Sequence, residues 1–233
     1  MTRSVLITGG TGGLGTAVTN RFLEDGHRVV ATSRIGGSPA SMTGGLSHCG
    51  DRFHLLHSDV TEGNSVADLV KRTLERLGKI EVLIHLVGGW AGGEPLQDTS
   101  LETWARMLDV NLHSAFLCAR AVLPTMRQQG WGRIVLVSSE AARSGRNHQG
   151  AYAIAKAGVS VLAETIAEEN NDLDITANVV APSALDTPAN RAALAADQLS
   201  LVSVQDVARM IAFLASAEAG QLRGAWLPAF GHA

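Results

Sequence analysis

Short apolar runs alternate with longer amphipathic stretches along most of this chain. "RSVLIT" (3–8) is a β-rich run, followed by a glycine cluster and an amphipathic stretch from Leu14 to Asp25. "HRVVATS" (27–33), closed by "RIGGSP", predicts a second strand, and "RFHLLHSDV" (52–60) a third, followed by a helix from about Ser65 to Leu77. "IEVLIHLV" (80–87) predicts a fourth strand, and a long helical pattern runs from Leu101 to Gln129, broken near its end by Pro124. "GRIVLVSS" (132–139), a helix from Ala151 to Asn170, "LDITANVVA" (173–181), a helix from Val204 to Ala215 and "GAWLPA" (224–229) complete the series. Strands that are continuous apolar runs, separated by amphipathic helices, predict a parallel sheet covered on both faces. No repeat, low-complexity tract or linker divides the chain, so the expectation is one doubly wound α/β domain over residues 1–233. Ligands of such sheets bind outside the carboxyl ends of the strands.

Composition narrows the classes of function. Of 233 residues 45% are hydrophobic, enough for one sizeable core. A net charge of −3 with dispersed basic residues gives no field for nucleic acid or an anionic membrane. Cys49 and Cys118 have neither metal-ligand spacing nor a disulfide framework, which suits a reducing compartment. The apolar stretch before the first glycines is too short for a signal-peptide core, and no run reaches the roughly 18 residues of a membrane span. A cytoplasmic protein is expected.

The turn after the first strand, "TGGTGGLG" (8–15), opens the first helix. Glycines there let backbone N–H groups and the helix N-terminus approach a pyrophosphate, which points to dinucleotide binding. Thr8, Gly9, Gly13 and Gly15 fit T-G-x-x-x-G-x-G, whereas Thr8, Gly9, Gly12 and Gly15 fit T-G-x-x-G-x-x-G; the spacing alone does not choose. After the second strand, where NAD sites place a carboxylate on the adenosine ribose, stand Ser33 and Arg34. A guanidinium suits a 2′-phosphate, so NADP(H) is favoured, with NAD(H) possible.

Tyr152, the one tyrosine, and Lys156 lie one helical turn apart in "GAYAIAKAG" and share a face. The pairing fits an acid/base couple as well as an ordinary helix surface.

With "SDV" (58–60), "DVNLHSAF" (109–116), "YAIAK" (152–156), "NVVAPSALDT" (178–187) and "GAWLPAFG" in order, the chain resembles the short-chain dehydrogenase/reductase family over nearly its whole length. The likeness is to the compact single-domain branch that includes the 3-oxoacyl-carrier-protein reductases. It implies a Rossmann-type, seven-stranded doubly wound parallel sheet and an NAD(P)-dependent carbonyl reductase or alcohol dehydrogenase. Chain length then favours the first glycine pattern, and Thr11 and Leu14 belong to that turn. The resemblance makes Tyr152 the general acid/base, Lys156 its partner and a ligand of the nicotinamide ribose, and Ser139 the residue that orients the substrate oxygen. A free phenol must fall by roughly 3 units to act near pH 7, about 4 kcal/mol, which Lys156 and an oxidised nicotinamide would share. Ser138 is the alternative to Ser139, since strand neighbours face opposite ways. Asn111 falls at the edge of the stripe Leu108, Leu112, Ala115, Ala119, Val122 and Met126, where an amide needs a partner; in the family it sits at a helix bend and holds relay water. Asp59 and Val60 match the adenine-packing residues, Gly88 a cofactor-approach glycine, and Pro182 and Thr187 residues beside the nicotinamide. Relatives assemble through the two long helices, which implies a homodimer or homotetramer.

Departures are informative too. Where the family writes N-N-A-G, this chain has "HLVG" (85–88), which puts the bracing of the sheet and cofactor affinity in question. "GGWAGGE" (88–94) is either a substrate wall carrying Trp90 or a plain turn, and the stretch between Thr187 and Val204 is a short alanine-rich cover. His148 precedes Tyr152 closely but is more simply read as a solvated loop residue. His54 and His57 point to opposite faces of a strand, so no metal is expected. Two other functions share the motifs: a reductase of a C=N or pterin-like ring, and a dinucleotide-sensing protein without turnover.

Overall fold

The computed structural model describes residues 1–34, 47–193 and 201–231. Part of "RIGGSP" and part of the stretch between Thr187 and Val204 lie outside these residues. Seven strands form one parallel sheet: β1 (Ser4–Thr8), β2 (Arg28–Ser33), β3 (Phe53–His57), β4 (Val82–His85), β5 (Trp131–Val137), β6 (Asp174–Pro182) and β7 (Trp226–Ala229). Their order is β3-β2-β1-β4-β5-β6-β7, with the reversal between β1 and β4 where the chain crosses to the other half. The helices are α1 (Gly13–Glu24), α2 (Gly63–Leu77), α3 (Leu101–Leu108), α4 (Ser114–Gln129), α5 (Gly150–Glu169), the short α6 (Pro188–Ala193) and α7 (Val204–Leu214).

Strand alternation explains the two layers. Leu6, Val30 and Leu83 face α2, α4 and α5, where Leu69, Val122 and Val159 meet them. Val5, Ile7, Val29 and Ile84 face α1 and α7, and meet Val18, Phe22, Val207 and Ile211. Each such side chain contributes about 1.5–3 kcal/mol when fully removed from water. Gly78 and Gly130 end α2 and α4 in the left-handed conformation that glycine adopts without a Cβ penalty.

The long helix differs from the sequence expectation. Pro124 does not break it: α4 runs through to Gln129, and the carbonyl deprived of its donor belongs to exposed Arg120. The interruption comes earlier, as a π-turn at Asp109–His113 where Ser114 N–H donates to Asp109 C=O, five residues back.

The amino-terminal ends of the strands hold a charged network. Glu81 accepts from Arg3 Nη1 at 2.7 Å and from the Ser4 amide at 3.0 Å, and pairs with Lys79 at 2.9 Å. The Trp131 ring lies under two guanidiniums, Arg3 at 3.8 Å and Arg133 at 4.4 Å from the centroid. Among the described residues no helix is long and apolar enough to cross a membrane.

Candidate active site

Two cavities open along the carboxyl ends of the strands, and Trp90 lines both. The first, about 530 Å³, runs past the β1 turn (Gly9, Thr11, Gly12), the end of β2 (Ser33, Arg34), Asp59, Val60 and Gly88. The second, about 680 Å³, is walled by Ser139, Tyr152, Lys156 and Pro182.

The glycines of the β1 turn divide their work. Gly9 has φ +73°. A Cβ on Gly15 would lie 2.1 Å from Gly9 C=O, so Gly15 keeps α1 close under the turn. A Cβ on Gly13 would meet Thr187 Cγ2 at 2.7 Å, which places Thr187 over the turn. Leu14 faces inward, in the core against α7. Gly12, by contrast, meets nothing nearer than Gly9 C=O at 3.5 Å and lies on the cavity wall. An open N-terminus of α1, bare glycine backbone and a cation at the far end form a cradle that suits a dinucleotide pyrophosphate. Ser33 spends its hydroxyl on His57 Nδ1 at 2.8 Å, leaving exposed Arg34 as the guanidinium at that end. Thr61, donating from its hydroxyl and its amide, holds the Asp59 carboxyl below its usual range, helped by nearby Arg34.

The two serines ending β5 separate by partner. Ser138 is buried and donates to Lys156 C=O at 2.7 Å, tying the strand to α5. Ser139 caps the turn after β5, accepting from the Ala141 amide at 3.2 Å. Its hydroxyl and that of Tyr152 both line the second cavity. Burial pushes the Tyr152 phenol above its ordinary pKa, and nearby Ser139 offsets part of that. The lowered working value expected from the sequence was assigned to Lys156 and an oxidised nicotinamide together; burial by the protein acts the other way. Lys156 Nζ lies 6.0 Å from the Tyr152 ring centroid and donates to Val137 C=O at 2.9 Å. Burial pulls Lys156 down to about 8.

Asn111 is fully buried, not at a solvent edge. Its amide donates to Met107 C=O at 3.0 Å and Gly89 C=O at 3.0 Å, and accepts from the Gly89 amide at 3.2 Å. Both amide hydrogens are thereby committed to carbonyls, so water beside Asn111 has only its oxygen to bind. Gly88 fills the gap between two site residues: a Cβ there would lie 2.9 Å from Asn111 Oδ1 and 3.0 Å from Lys156 Nζ.

His85 takes over the bracing that "HLVG" put in question. Its Nδ1 pairs with Thr8 Oγ1 at 2.8 Å and its Nε2 with Ser114 Oγ at 3.1 Å, while Ser114 donates to Val110 C=O at 2.8 Å. The network is complete when Nε2 carries the proton and Thr8 donates to Nδ1. Burial, then the charge on Lys156, lowers the His85 pKa to about 3. The loop 88–94 is anchored as well: Gly93 N–H donates to His148 C=O at 2.8 Å, and His148 holds φ +63°. Trp90, 60% exposed, stands on this loop and lines both cavities. Sequence reasoning missed Gly12, Arg106 and Val110 on the first cavity and Asn190 on the second. Gly12 had a signal in the second glycine pattern; the others depend on how α3, the π-turn after it and α6 pack. No group of three or more metal-binding side chains occurs among the described residues.

A parallel sheet reversing at β1/β4, with a glycine turn at the reversal and a serine, tyrosine and lysine on the adjoining cavity, defines a dinucleotide-dependent oxidoreductase of carbonyl and alcohol groups. Residues 3–198 match the family model for short chain dehydrogenases, and the chain belongs to that family. It is 32% identical to the 3-oxoacyl-[acyl-carrier-protein] reductase MabA of Mycobacterium tuberculosis, over 99% of this chain and 92% of that protein. Acetoacetyl-CoA reductase of Allochromatium vinosum is 29% identical over 99% of this chain and 98% of its own length. Among solved structures, ElxO with NADP bound superposes with a TM-score of 0.90 at 26% identity, covering 98% of this chain and 97% of that one.

Proposed function

We propose that the protein is an NADP(H)-dependent carbonyl reductase working through Tyr152. The observation that carries the reading is the convergence of Ser139, Tyr152 and Lys156 on one cavity whose wall, Trp90, also bounds the cavity at the glycine turn. Gly9, Thr11, Gly12, Asp59, Val60, Gly88, Pro182 and Thr187 would hold the cofactor, with Arg34 on its 2′-phosphate. The bound dinucleotide supplies or takes the hydride. Ser139 orients the substrate carbonyl oxygen toward the Tyr152 hydroxyl, which donates its proton there; in the reverse direction the phenolate takes it back. Lys156, held by Val137 C=O, places a buried cation beside the phenol. NADP-bound relatives, ElxO among them, support the cofactor preference.

Exposed Phe116 on α4 and Ile154 and Val161 on α5 support a homodimer or homotetramer built on these helices. Light scattering on the purified protein tests it. The function itself is tested by titrating with NADPH and NADH and then assaying a carbonyl panel with Tyr152→Phe as control. The variant should lose at least about a thousandfold in kcat while binding NADPH within about threefold of the parent. Retained turnover sinks the proton-transfer role.

A further inference from the structure

Beyond the residues that move the proton, the second cavity carries a charge device of its own. Its wall is mostly apolar where Val137, Ala184 and Leu185 face it, yet Glu140 and Arg146 stand on it side by side. Arg146 Nη2 lies 2.7 Å from Glu140 Oε1, with the two side chains 47% and 33% exposed. The contact is an ion pair, and among the described residues the Arg146 guanidinium makes no side-chain hydrogen bond that would use up its five donors. A half-exposed pair of this kind contributes little to the fold, too little to explain a cation in an apolar wall by stability alone.

Two neighbouring polar groups are already committed. Lys156 Nζ donates to Val137 C=O, and the Asn190 amide donates to Leu185 C=O at 2.8 Å. Two cations, Arg146 and Lys156, face one carboxylate, Glu140, so the wall holds an excess of positive charge. A planar carboxylate on a substrate matches the unengaged edge of the guanidinium and can bind it with two parallel hydrogen bonds. Glu140 then plays two parts: it keeps Arg146 aimed along the wall, and it repels the same anion, setting a threshold that weakly bound anions do not pass.

Resting on the reading of this site as a carbonyl reductase, we propose that Arg146, gated by Glu140, selects substrates that carry a carboxylate in addition to the carbonyl. The probes are 3-oxobutanoate, 4-oxopentanoate and 5-oxohexanoate, each against its own methyl ester, with NADPH. The parent protein should favour the acid of the best-fitting length by about tenfold in kcat/KM. Arg146→Met should lower that acid-to-ester ratio about tenfold, and Glu140→Gln should raise it. Opposite signs are the signature, since a purely structural pair breaks equally from either side. Ratios that stay put, or that move in the same direction in both variants, overturn the proposal. A protein that binds NADPH but reduces no member of either series fails as a carbonyl reductase instead. The same acid-to-ester ratios, read from calorimetric binding to that protein, then decide the role of Arg146.

Discussion

Acid should unfold this protein through His85, and the size of the effect follows from its surroundings. The ring is buried with both nitrogens engaged, and its pKa is lowered to about 3 from an ordinary 6.5. Between those values the unfolded chain binds a proton that the folded ring refuses. Stability from this group is complete above about pH 6.5 and falls as the pH drops toward 3. From pH 7 to pH 5 the loss is about 2 kcal/mol, since each unit of separation between pH and the unfolded pKa is worth about 1.4 kcal/mol. With a urea m-value of about 2–3 kcal/mol/M, the unfolding midpoint should drop by about 0.7–1 M on this account. The control is His85→Asn, measured at the same protein concentration. Its amide holds Thr8 or Ser114 but not both, so it should be less stable at pH 7 by about 1–3 kcal/mol. It lacks the titration, so its midpoint should change less between pH 7 and pH 5. His27, whose pKa burial also lowers, is present in both proteins and cancels in the comparison. An equal drop in both proteins would refute the assignment.

Gly88→Ala forces a methyl against Asn111 Oδ1 and Lys156 Nζ; kcat should fall at least about tenfold, with the melting temperature lowered only modestly. Arg34→Ala should weaken NADPH binding by about tenfold or more while NADH affinity moves less than about threefold, as read by nicotinamide fluorescence. Burial pushes the Glu81 carboxyl up, but its hydrogen bonds from Arg3, Lys79 and Ser4 outweigh that and leave it below its ordinary range. Glu81→Ala should therefore lower stability by about 1–3 kcal/mol in a denaturant titration and leave kcat intact, since the network sits at the end of the sheet away from the cavities.

The strands and the glycine turn were legible because apolar runs and glycine spacing are written locally. Tyr152, Lys156 and Ser139 were legible as a set through the order of motifs. The π-turn was not: an apolar stripe such as Leu108, Leu112, Ala115 and Ala119 reads as continuous helix, whereas Asn111 within the turn bonds to a carbonyl 22 residues earlier, at Gly89. The bracing by His85 was hidden for a similar reason. Its identity showed that an asparagine was missing, but not that an imidazole reaches hydroxyls on β1 and α4 at once. Both Ser138 and Ser139 line the cavity, and what separates them, the bond from Ser138 to Lys156 C=O, depended on where α5 lies.

One further consequence comes from the π-turn at Asp109–His113. An extra residue in a helix turns everything beyond it by about 100° relative to what precedes it. Deleting one residue there would give a smoother helix with every backbone bond restored, and would at the same time rotate α3 out of phase with α4. Met107 would lose its seat in the interior, and no amide would face Gly89. In this family member the helix is thus kept one residue too long for regularity, and stabilising redesigns that idealise it would remove the site along with the irregularity.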